Sequence, residues 1–260
     1  MSQSSKLSGK RALVTAGAQG IGLAISRHLL AAGCDLFVHY HKSIEGARIL
    51  AKEAKALRQR FASAGADLTE TAGCERVVAE AAEFLGGIDI LINNAGTLVA
   101  RKSTLEADDE FWAEVMSVNM GSMRRVTRAA IPHLIAAAKD RGGASIVNLS
   151  SIAGRKGGAP GSLPYATAKG AALAFTRGLA AELGPRGIRV NAITPGFIEG
   201  SSFHSTHTSP EQAKTIVGGI PLGRSGNPDD VARAAVFLAG EFDGFINGAT
   251  LDVNGGSYMA

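Results

Sequence analysis

The sequence predicts an α/β fold in which helices cover both faces of one seven-stranded parallel sheet. Three observations predict it. Seven short runs rich in valine, isoleucine and leucine recur along the 260 residues, and alanine- and leucine-rich segments with helical spacing separate most of them. With 45% of its residues hydrophobic and 19% charged, the chain can bury a large core. Strands that alternate with helices form a parallel sheet that is buried on both faces.

The strand candidates follow one another along the chain. They are RALVT at 11–15, DLFVHY at 35–40, FASAGAD at 61–67, IDILINN at 88–94, ASIVNLSS at 144–151, IRVNAITPG at 188–196 and ATLDVNGG at 249–256. FASAGAD is the weakest of them. Two helices have clear ends, because glycine is favoured where a helix stops. GLAISRHLLAAG closes on Gly33, and PDDVARAAVFLAG closes on Gly240.

No segment marks a second domain or a targeting signal. Without an internal repeat, low-complexity tract or proline-rich linker, residues 1–260 are expected to form a single domain. No apolar stretch approaches the roughly 18 residues needed to cross a bilayer. The opening MSQSSKLSGK lacks the apolar core of a signal peptide. The protein is therefore expected to be cytoplasmic and to have no membrane partner.

Cysteine usage and charge exclude two further classes of protein. Cys34 and Cys74 stand outside any CxxC or Cys/His cluster, so neither a disulfide framework nor a zinc site is expected. We interpret both as buried or inert thiols. The excess of 27 basic over 23 acidic residues is small and scattered along the chain. No nucleic-acid partner is expected from it.

A glycine-rich stretch, TAGAQGIG at 15–22, lies between the first strand and the first helix. Its backbone amides therefore point from a helix N-terminus at the carboxyl end of a sheet, which is where a pyrophosphate binds. Glycine suits this position because a Cβ would obstruct the turn and the approach of phosphate to the main chain. A plain glycine-rich turn is the alternative. The candidate cofactor-binding residues here are Gly17, Gln19, Gly20, Ile21 and Gly22.

Four further motifs follow in one order. They are NNAG at 93–96, VN ending at Asn119, NLSS ending at Ser151, and YATAK from Tyr165 to Lys169. Together with the glycine-rich turn, this series resembles the short-chain dehydrogenase/reductase family, and is similar to its 3-oxoacyl-acyl-carrier-protein reductases. The resemblance runs from KRALVTAG to LDVNGGSYM, essentially the whole chain. It implies a Rossmann-type doubly wound fold and hydride transfer between a nicotinamide and a carbonyl or secondary alcohol.

The chain departs from the family pattern at two places. The usual TGxxxGxG turn has glycine straight after threonine, whereas here Ala16 takes that place and Gly17 follows. We expect a shifted or slightly widened turn. The interval from Ser151 to Tyr165 is one residue longer than in the commonest members. The extra residue falls in GRKGGAPGSLP, a loop that can absorb it without moving the flanking elements.

The YATAK motif predicts a proton donor. Tyr165 and Lys169 are four residues apart in a segment that reads as helix, so their side chains lie on one face. A phenol titrates near pH ~10, and a neighbouring ammonium is expected to lower the pKa of Tyr165 toward neutrality. Ser151 is expected to hydrogen-bond the substrate oxygen. The resemblance implies that Asn119 positions a water on Lys169, which makes these four the candidate catalytic residues.

The second strand ends FVHYHKS, with no carboxylate to bind the 2′-hydroxyl of NAD. Asp35 lies at the early end of that strand. His41, Lys42 and Ser43 instead supply a cation and donors suited to a 2′-phosphate, and the segment looks like the NADP-binding segment of pteridine reductases. NADP(H) is favoured over NAD(H). The alternative is a solvated turn, kept open by Gln19, where many NADP-using relatives carry a basic residue.

Other cofactor contacts are implied by the resemblance. Asp67, with Leu68 beside it, is expected at the adenine, and a helix N-cap is the alternative role for Asp67. The remaining expected cofactor contacts are Asn94, Ala95, Gly96, Tyr165, Lys169, Pro195, Gly196 and Ile198, the last three along the nicotinamide.

The substrate lid is expected at about 197–220. Phe197, Phe203 and His204 are candidates for the pocket lining, and no Lys or Arg lies between Gly196 and Glu211. His204 and His207 invite a metal reading, but without a third ligand no metal site is predicted.

The expected substrate is a small carbonyl compound or alcohol, with a 3-oxoacyl thioester the largest single possibility. Pteridine reductases carry an aspartate where this chain has Ser151, which favours carbonyl chemistry over pterin reduction. Sugar or polyol dehydrogenase activity and a non-catalytic NADP-binding sensor or scaffold are further alternatives. The resemblance also implies a homotetramer.

Overall fold

The computed structural model describes residues 7–199, 208–240 and 244–260. Seven strands form one sheet in the order β3-β2-β1-β4-β5-β6-β7, and every neighbouring pair is parallel. They are β1 Arg11–Val14, β2 Asp35–Tyr40, β3 Phe61–Gly65, β4 Ile90–Asn93, β5 Ala144–Leu149, β6 Ile188–Pro195 and β7 Thr250–Val253. All seven predicted strands are confirmed, including the weak FASAGAD.

Helices connect and cover the strands. Those in the described residues are α1 Gly20–Ala31, α2 Glu45–Leu57, α3 Thr71–Leu85, α4 Asp109–Met116, α5 Ser122–Arg141, α6 Ala153–Lys156, α7 Leu163–Leu183, α8 Pro210–Gly218 and α9 Pro228–Ala239. Within this part of the chain, none of them combines the length and the apolar character that crossing a bilayer requires.

Two helix ends test the glycine predictions. Gly33 stands two residues beyond the end of α1 with φ +91°, the left-handed conformation in which glycine stops a helix. Gly240 caps α9 as predicted, but with φ −75° and ψ 161°, so α9 ends on extended backbone. The beginning of α9 is fixed by side chains, because Asn227 and Asp230 form a reciprocal capping box.

The strands of the sheet contribute to two separate hydrophobic layers. On β1, Val14 packs in one layer with Leu29 of α1, while Leu13 faces the other layer with Val126 of α5. This alternation follows from the two-residue period of a strand. The free thiols of Cys34 and Cys74 are buried in the two layers, where burial raises their pKa to about 12 and about 11. Both are the inert thiols that the sequence predicted.

The sheet order reverses next to β1. The strand pairs with β2 on one side and with β4 on the other, so the connections after β1 and β4 leave in opposite directions. In open α/β sheets, this reversal leaves a crevice beyond the carboxyl ends of the strands, where ligands bind. The glycine-rich turn follows β1, NNAG ends β4, and NLSS ends β5.

The amino ends of the strands carry a buried ion cluster. Asp89, 1% exposed, accepts from the main-chain N–H of Arg11 at 2.8 Å and from its Nε and Nη2 at 2.9 Å each. Arg141 Nε lies 3.2 Å from Asp89 Oδ1. Burial raises the pKa of Asp89, but the hydrogen bonds and charge of Arg11 outweigh it and hold that pKa below its usual value.

Candidate active site

A cleft of about 520 Å³ opens at the carboxyl ends of the strands. Twelve of the predicted site residues line it: Gln19, Gly20, Ile21, Gly22, Asn94, Gly96, Ser151, Tyr165, Lys169, Pro195, Gly196 and Ile198. The others lie outside the lining, namely Gly17, His41, Lys42, Ser43, Asp67, Leu68, Ala95 and Asn119. The separate motifs of the sequence therefore meet in one cavity.

The glycine-rich turn is tied to β4 by the NNAG motif. The hydroxyl of Thr15 accepts from the main-chain N–H of Asn94 at 2.9 Å and of Ala95 at 3.0 Å. In return, Asn94 Nδ2 donates to the carbonyls of Thr15 and Ala16 at 3.1 Å each. Asn94 and Ala95 therefore hold the turn in place, a role that the sequence pattern alone did not reveal.

Ala16 has φ +48°, so it adopts the left-handed conformation that a family glycine would take without strain. Gly17 does not take over that role. It is buried, its carbonyl accepts from Ser26 Oγ at 3.0 Å, and a Cβ there would lie 2.9 Å from the same hydroxyl. The turn is therefore strained at Ala16 rather than shifted, and Gly17, expected at the cofactor, packs inward. A Cβ on Gly22 would lie 2.2 Å from the Ala16 carbonyl oxygen, which makes glycine necessary there.

His39 supports the glycine-rich turn, a role that the sequence analysis did not predict. Its ring is 2% exposed. Nδ1 accepts from the main-chain N–H of Ala16 at 3.1 Å, and Nε2 lies 3.0 Å from the carbonyl oxygen of Ala66, to which it donates. Both bonds require the neutral ring with its proton on Nε2. Burial lowers the pKa of His39, which keeps the ring neutral.

The N-terminus of α1 presents main-chain N–H groups that have no acceptor among the described residues. Gln19 is the N-cap and makes no side-chain capping bond. None of the described residues accepts a hydrogen bond from the main-chain N–H of Gly20, Ile21 or Gly22. Unsatisfied N–H groups and the positive end of the helix dipole together attract an anion. These residues fit the pyrophosphate of a dinucleotide.

The adenosine end is more open. His41, Lys42 and Ser43 form an exposed loop between β2 and α2. Asp35 lies at the first residue of β2, where its Oδ1 accepts from the main-chain N–H of Arg60 at 2.9 Å. As predicted, it cannot reach a ribose at the other end of that strand.

Asp67 forms a turn of its own. Its Oδ1 accepts from the main-chain N–H of Thr69 at 2.8 Å and from the Thr69 hydroxyl at 2.7 Å, and these bonds lower its pKa. The N-cap of α3 is Glu70, so the N-cap alternative for Asp67 is wrong. Leu68 is 6% exposed and packs in the core, which leaves only its main chain near the surface.

Tyr165 and Ser151 meet at the centre of the cleft. The Tyr165 hydroxyl hydrogen-bonds with the side chain of Ser151, whose Oγ also accepts from the main-chain N–H of Ala153 at 3.1 Å. Burial raises the pKa of Tyr165 to about 12, and the Ser151 hydrogen bond lowers it only in part. The expected lowering by Lys169 is therefore wrong for the protein alone, because desolvation outweighs any effect of the ammonium.

Lys169 is on the same face of α7 as Tyr165, as predicted, with Nζ 5.7 Å from the centre of the phenol ring. Its side chain is buried, and Nζ donates to the carbonyl of Leu149 at 2.9 Å. Within residues 7–199, 208–240 and 244–260, no carboxylate forms an ion pair with it. Burial lowers the pKa of Lys169 to about 8, so it titrates near neutral pH.

Asn119 lies in a π-helical segment, Ser117–Gly121, between α4 and α5. Its Nδ2 donates to the carbonyls of Thr97 at 2.8 Å and Val115 at 2.9 Å, and its Oδ1 accepts from the Thr97 N–H at 3.1 Å. A Cβ on Gly96 would lie 2.6 Å from that Oδ1 and 3.0 Å from Lys169 Nζ. The side chain of Asn119 therefore holds the loop at Gly96 and Thr97 in place, and Gly96 lies between Asn119 and Lys169.

Two small residues hold the main chain of Lys169. Ser150 Oγ donates to the Lys169 carbonyl at 2.6 Å. A Cβ on Gly154 would lie 2.6 Å from the same carbonyl carbon, so α6 packs against α7 only with glycine there. The sequence signal for Ser150 was its place in NLSS, beside Ser151.

The substrate end of the cleft is lined from several loops. Its residues are Leu98, Arg101, Lys156, Gly158, Ala159, Ser162, Phe197, Thr208, Thr215, Ile216, Gly219 and Ser257. In the interval between Ser151 and Tyr165, three glycines at 157–161 have φ of +77° to +83°. Phe203, His204 and His207 lie outside the described residues. Among the residues that are described, no three potential metal ligands cluster.

Comparison with known proteins gives one family match and close relatives. The model of a family described as "Enoyl-(Acyl carrier protein) reductase" matches residues 15–258. An acetoacetyl-CoA reductase of Rhizobium meliloti is 37% identical over 252 residues, which are 96% of this chain and 98% of that protein.

Solved structures agree with the observed fold. An NADH-dependent reductase responsible for alginate metabolism superposes with a TM-score of 0.90 at 35% identity, covering 98% of this chain and 99% of that one. A short chain dehydrogenase from Burkholderia cenocepacia J2315 in complex with NADP gives a TM-score of 0.88 at 33% identity, covering 97% and 99%. This chain is thus similar over nearly its whole length to a reductase named as NADH-dependent and to a dehydrogenase that binds NADP.

Proposed function

The chain belongs to the short-chain dehydrogenase/reductase family and is an oxidoreductase that acts on carbonyl or alcohol groups, and from that premise we propose that it is an NADPH-dependent reductase of small carbonyl compounds. One observation carries the proposal. Tyr165, Ser151 and Lys169 line the same cleft as the unsatisfied N-terminus of α1, so a proton donor faces a site suited to a dinucleotide.

Tyr165 is the proton donor. With a pKa of about 12, the phenol is fully protonated at neutral pH and can donate to a carbonyl oxygen that becomes negative during reduction. The Ser151 hydroxyl already hydrogen-bonds with it, so a carbonyl oxygen placed between them would accept from both. A bound nicotinamide supplies the hydride in reduction and accepts it in oxidation.

Lys169 prepares the phenol for proton transfer. With its pKa near 8, the ammonium is present at neutral pH, and its charge favours the phenolate that remains once Tyr165 has donated. The Asn119 side chain already makes three hydrogen bonds to the main chain, so it keeps the wall beside Lys169 fixed. A water relay to Lys169 would then use the main chain of Asn119 or the remaining capacity of Oδ1.

The cofactor would be held along the same edge of the sheet. The amides of Gly20, Ile21 and Gly22 suit its pyrophosphate, and the loop after β2 suits a 2′-phosphate, since Lys42 is a cation there and no carboxylate occupies that end of the strand. The similar structure that holds NADP supports the same choice, whereas the NADH-dependent neighbour supports NADH. We favour NADPH because of the loop's own residues.

The first test is turnover. We expect NADPH to be oxidised in the presence of at least one member of a panel of 3-oxoacyl thioesters, diketones, ketoses and oxo acids, with a pterin included. Tyr165→Phe removes the hydroxyl that donates the proton and leaves the ring. Turnover by this variant should therefore fall by a factor of about 10²–10⁴, while the variant still binds NADPH. Cofactor binding without turnover of any carbonyl would instead identify a non-catalytic NADP-binding module.

The second test addresses the cofactor. Lys42→Ala should raise the KM for NADPH by at least about tenfold and leave the KM for NADH nearly unchanged, since only NADPH carries the 2′-phosphate. Lys52→Ala removes the same charge from the exposed side of α2 and serves as the control. Equal losses for both cofactors would show that Lys42 does not read the phosphate. Assembly as a homotetramer stays a prediction, to be tested by light scattering in solution.

A further inference from the structure

Two cations line the substrate end of the cleft. Arg101 lies in the loop between β4 and α4, and Lys156 is the last residue of α6. Both are exposed and both line the cavity that holds Tyr165. The sequence analysis named neither as a site residue, because they are 55 residues apart and only the fold brings them to one cavity.

Their position is on the substrate side of Tyr165. Arg101 Nη1 donates to the carbonyl of Pro160 at 3.1 Å, and a Cβ on Gly161 would lie 3.1 Å from the Cβ of Arg101. This loop leads directly into Tyr165 at the beginning of α7. The dinucleotide end follows β1, which lies on the other side of β4 from β5 and Ser151. The two cations therefore face the substrate rather than the pyrophosphate.

Main-chain carbonyls accept a hydrogen bond from each of these two cations. Lys156 Nζ donates to the carbonyl of Ser257 at 3.3 Å, and Arg101 donates to a carbonyl as well. A carbonyl oxygen carries no net charge, so it holds a cation in position without neutralising it. The head groups are therefore positioned before a ligand arrives, which reduces the entropy lost on binding.

The described lining of the cleft carries charge of one sign. No aspartate or glutamate belongs to its described lining. Apolar side chains, among them Leu98, Phe197 and Ile216, form much of the wall. Charges of one sign in a cleft with low-dielectric walls concentrate ligands of the opposite charge.

We infer that the preferred substrates are small carbonyl compounds that carry a carboxylate, which Arg101 and Lys156 bind while the carbonyl lies against Tyr165 and Ser151. The inference rests on the proposed function and names its substrate class. An arginine guanidinium matches a carboxylate with two parallel hydrogen bonds, and a lysine adds a point charge. A cavity of about 520 Å³, shared with a nicotinamide, suits a short oxo acid better than a bulky acyl carrier.

Matched pairs of substrates test this directly. We would measure NADPH oxidation with acetoacetate, 4-oxopentanoate and 5-oxohexanoate, each against its methyl ester, which differs mainly in charge. At low salt, kcat/KM for the best acid should exceed that for its ester by at least about tenfold, mostly through KM. The ratio should fall as ionic strength rises, because salt screens exposed charges.

Charge-removing variants assign the effect to the two cations. Arg101→Gln combined with Lys156→Gln should bring the acid-to-ester ratio close to one. Lys214→Gln is the matched control, because Lys214 is exposed on α8 beside Thr215 but does not line the cleft. It should leave the ratio unchanged. A ratio near one in the unaltered enzyme, or an acid preference that survives the double substitution, would overturn the inference and leave the reductase assignment intact.

A binding measurement in an inactive variant distinguishes failure of the substrate class from failure of the proposed reductase activity. In Tyr165→Phe saturated with NADPH, calorimetry should give a Kd for 4-oxopentanoate at least about tenfold below that of its methyl ester. Equal binding of acid and ester overturns the substrate class. Preferential binding of the acid, in an enzyme that reduces no carbonyl, would instead support the substrate class and reject the proposed reductase activity. Acetoacetyl-CoA is included to distinguish a carboxylate from the phosphates of a thioester, and faster reduction of it than of every oxo acid counts against the inference.

Discussion

The two ends of the sheet each bury a charged group, and they treat it in opposite ways. At the amino end, Asp89 is held by the side chain and main chain of Arg11 and by Arg141. At the carboxyl end, Lys169 is just as inaccessible, but its ammonium donates to the Leu149 carbonyl and no described carboxylate forms an ion pair with it.

The pKa values of the two groups express the same difference. The pKa of Asp89 lies below its ordinary value, so the fold stabilises the charged carboxylate despite its burial. The pKa of Lys169 falls to about 8, so the fold penalises the charged ammonium. A buried charge with ionic partners stays charged, and removing its partners destabilises the fold, whereas one left without them carries a shifted pKa that catalysis can use.

The largest effect is expected at Lys169. Lys169→Met keeps most of the length of the side chain and removes its charge, so turnover should fall by about 10²–10⁴-fold. The free energy of unfolding at pH 7 should be unchanged or higher, because a penalised buried charge has been removed. Rates of NADPH oxidation and urea unfolding curves would measure both. A strong loss of stability would show that Lys169 is structural, as Asp89 is.

The pH dependence of the unfolding free energy provides a second test of the role of Lys169. Between a folded pKa of about 8 and the ordinary 10.5, the unfolded chain binds more protons at Lys169 than the folded one. This residue therefore makes the native enzyme more stable as the pH rises through that window. From pH 7 to pH 10, the unfolding free energy of the native enzyme should rise relative to that of Lys169→Met. A constant difference would contradict the assigned pKa.

Asp89 should show the opposite pattern. Asp89→Asn leaves two guanidinium groups beside a neutral, buried amide, and the free energy of unfolding should fall by about 3–5 kcal/mol. At a temperature where the variant remains folded, kcat should stay within about twofold of the native value, since the cluster lies at the end of the sheet away from the cleft. Chemical denaturation paired with turnover at 15 °C would check it. Lost turnover in a folded variant would mean that the two ends are coupled.

A smaller effect is expected at His39, which extends the comparison to a neutral buried group. His39→Leu leaves the partly buried Ala16 N–H without its acceptor, which should cost about 1–2 kcal/mol in stability and weaken NADPH binding. His39→Asn restores an acceptor near the Nδ1 position, so NADPH affinity should recover to within about threefold of the native value. Calorimetric titration of the two variants measures this. If asparagine gives no recovery, the turn does not depend on that hydrogen bond.

His39 also adds a pH signature at the acid side. The groups that face it are His41 and Arg76, which lower its pKa, and Asp67 and the Ala66 carbonyl, which raise it; burial, which lowers it, dominates. Below its ordinary pKa of 6.5, the unfolded chain therefore binds more protons at this residue, and stability falls as the pH drops through that range. Thermal melts from pH 7.5 to 5 should show a shallower decline for His39→Asn than for the native chain.

The smallest effect is expected at Ala16. Ala16→Gly relieves the strain of φ +48°, so the free energy of unfolding should rise by up to about 1 kcal/mol, since part of the gain is offset by the greater freedom of glycine when unfolded. NADPH affinity should change by less than about threefold. Ala16→Val should have the opposite effect and lower the free energy of unfolding, because a β-branched residue is poorly tolerated at positive φ. Destabilisation by glycine would place the strain elsewhere in the turn.

Local patterns in the sequence account for what was predicted correctly. The seven strands, the helix that carries Tyr165 and Lys169 on one face, and the glycine-rich turn at the first helix all depend on residues close together along the chain. Strand and helix periods and the needs of a tight turn act over such short distances, so they can be read without the fold. The order of the motifs added the family and its expected site.

The tertiary structure alone decided the properties that depend on distant neighbours. His39 reaches Ala16 and Ala66 because the turn and the end of β3 converge on it, and no spacing in the sequence announces that contact. The same holds for Arg101 and Lys156, which only the fold places in one cavity. The pKa of Tyr165 is raised where the sequence analysis expected it to be lowered, for the same reason. Burial and through-space charge set a pKa, and both are properties of the packed chain.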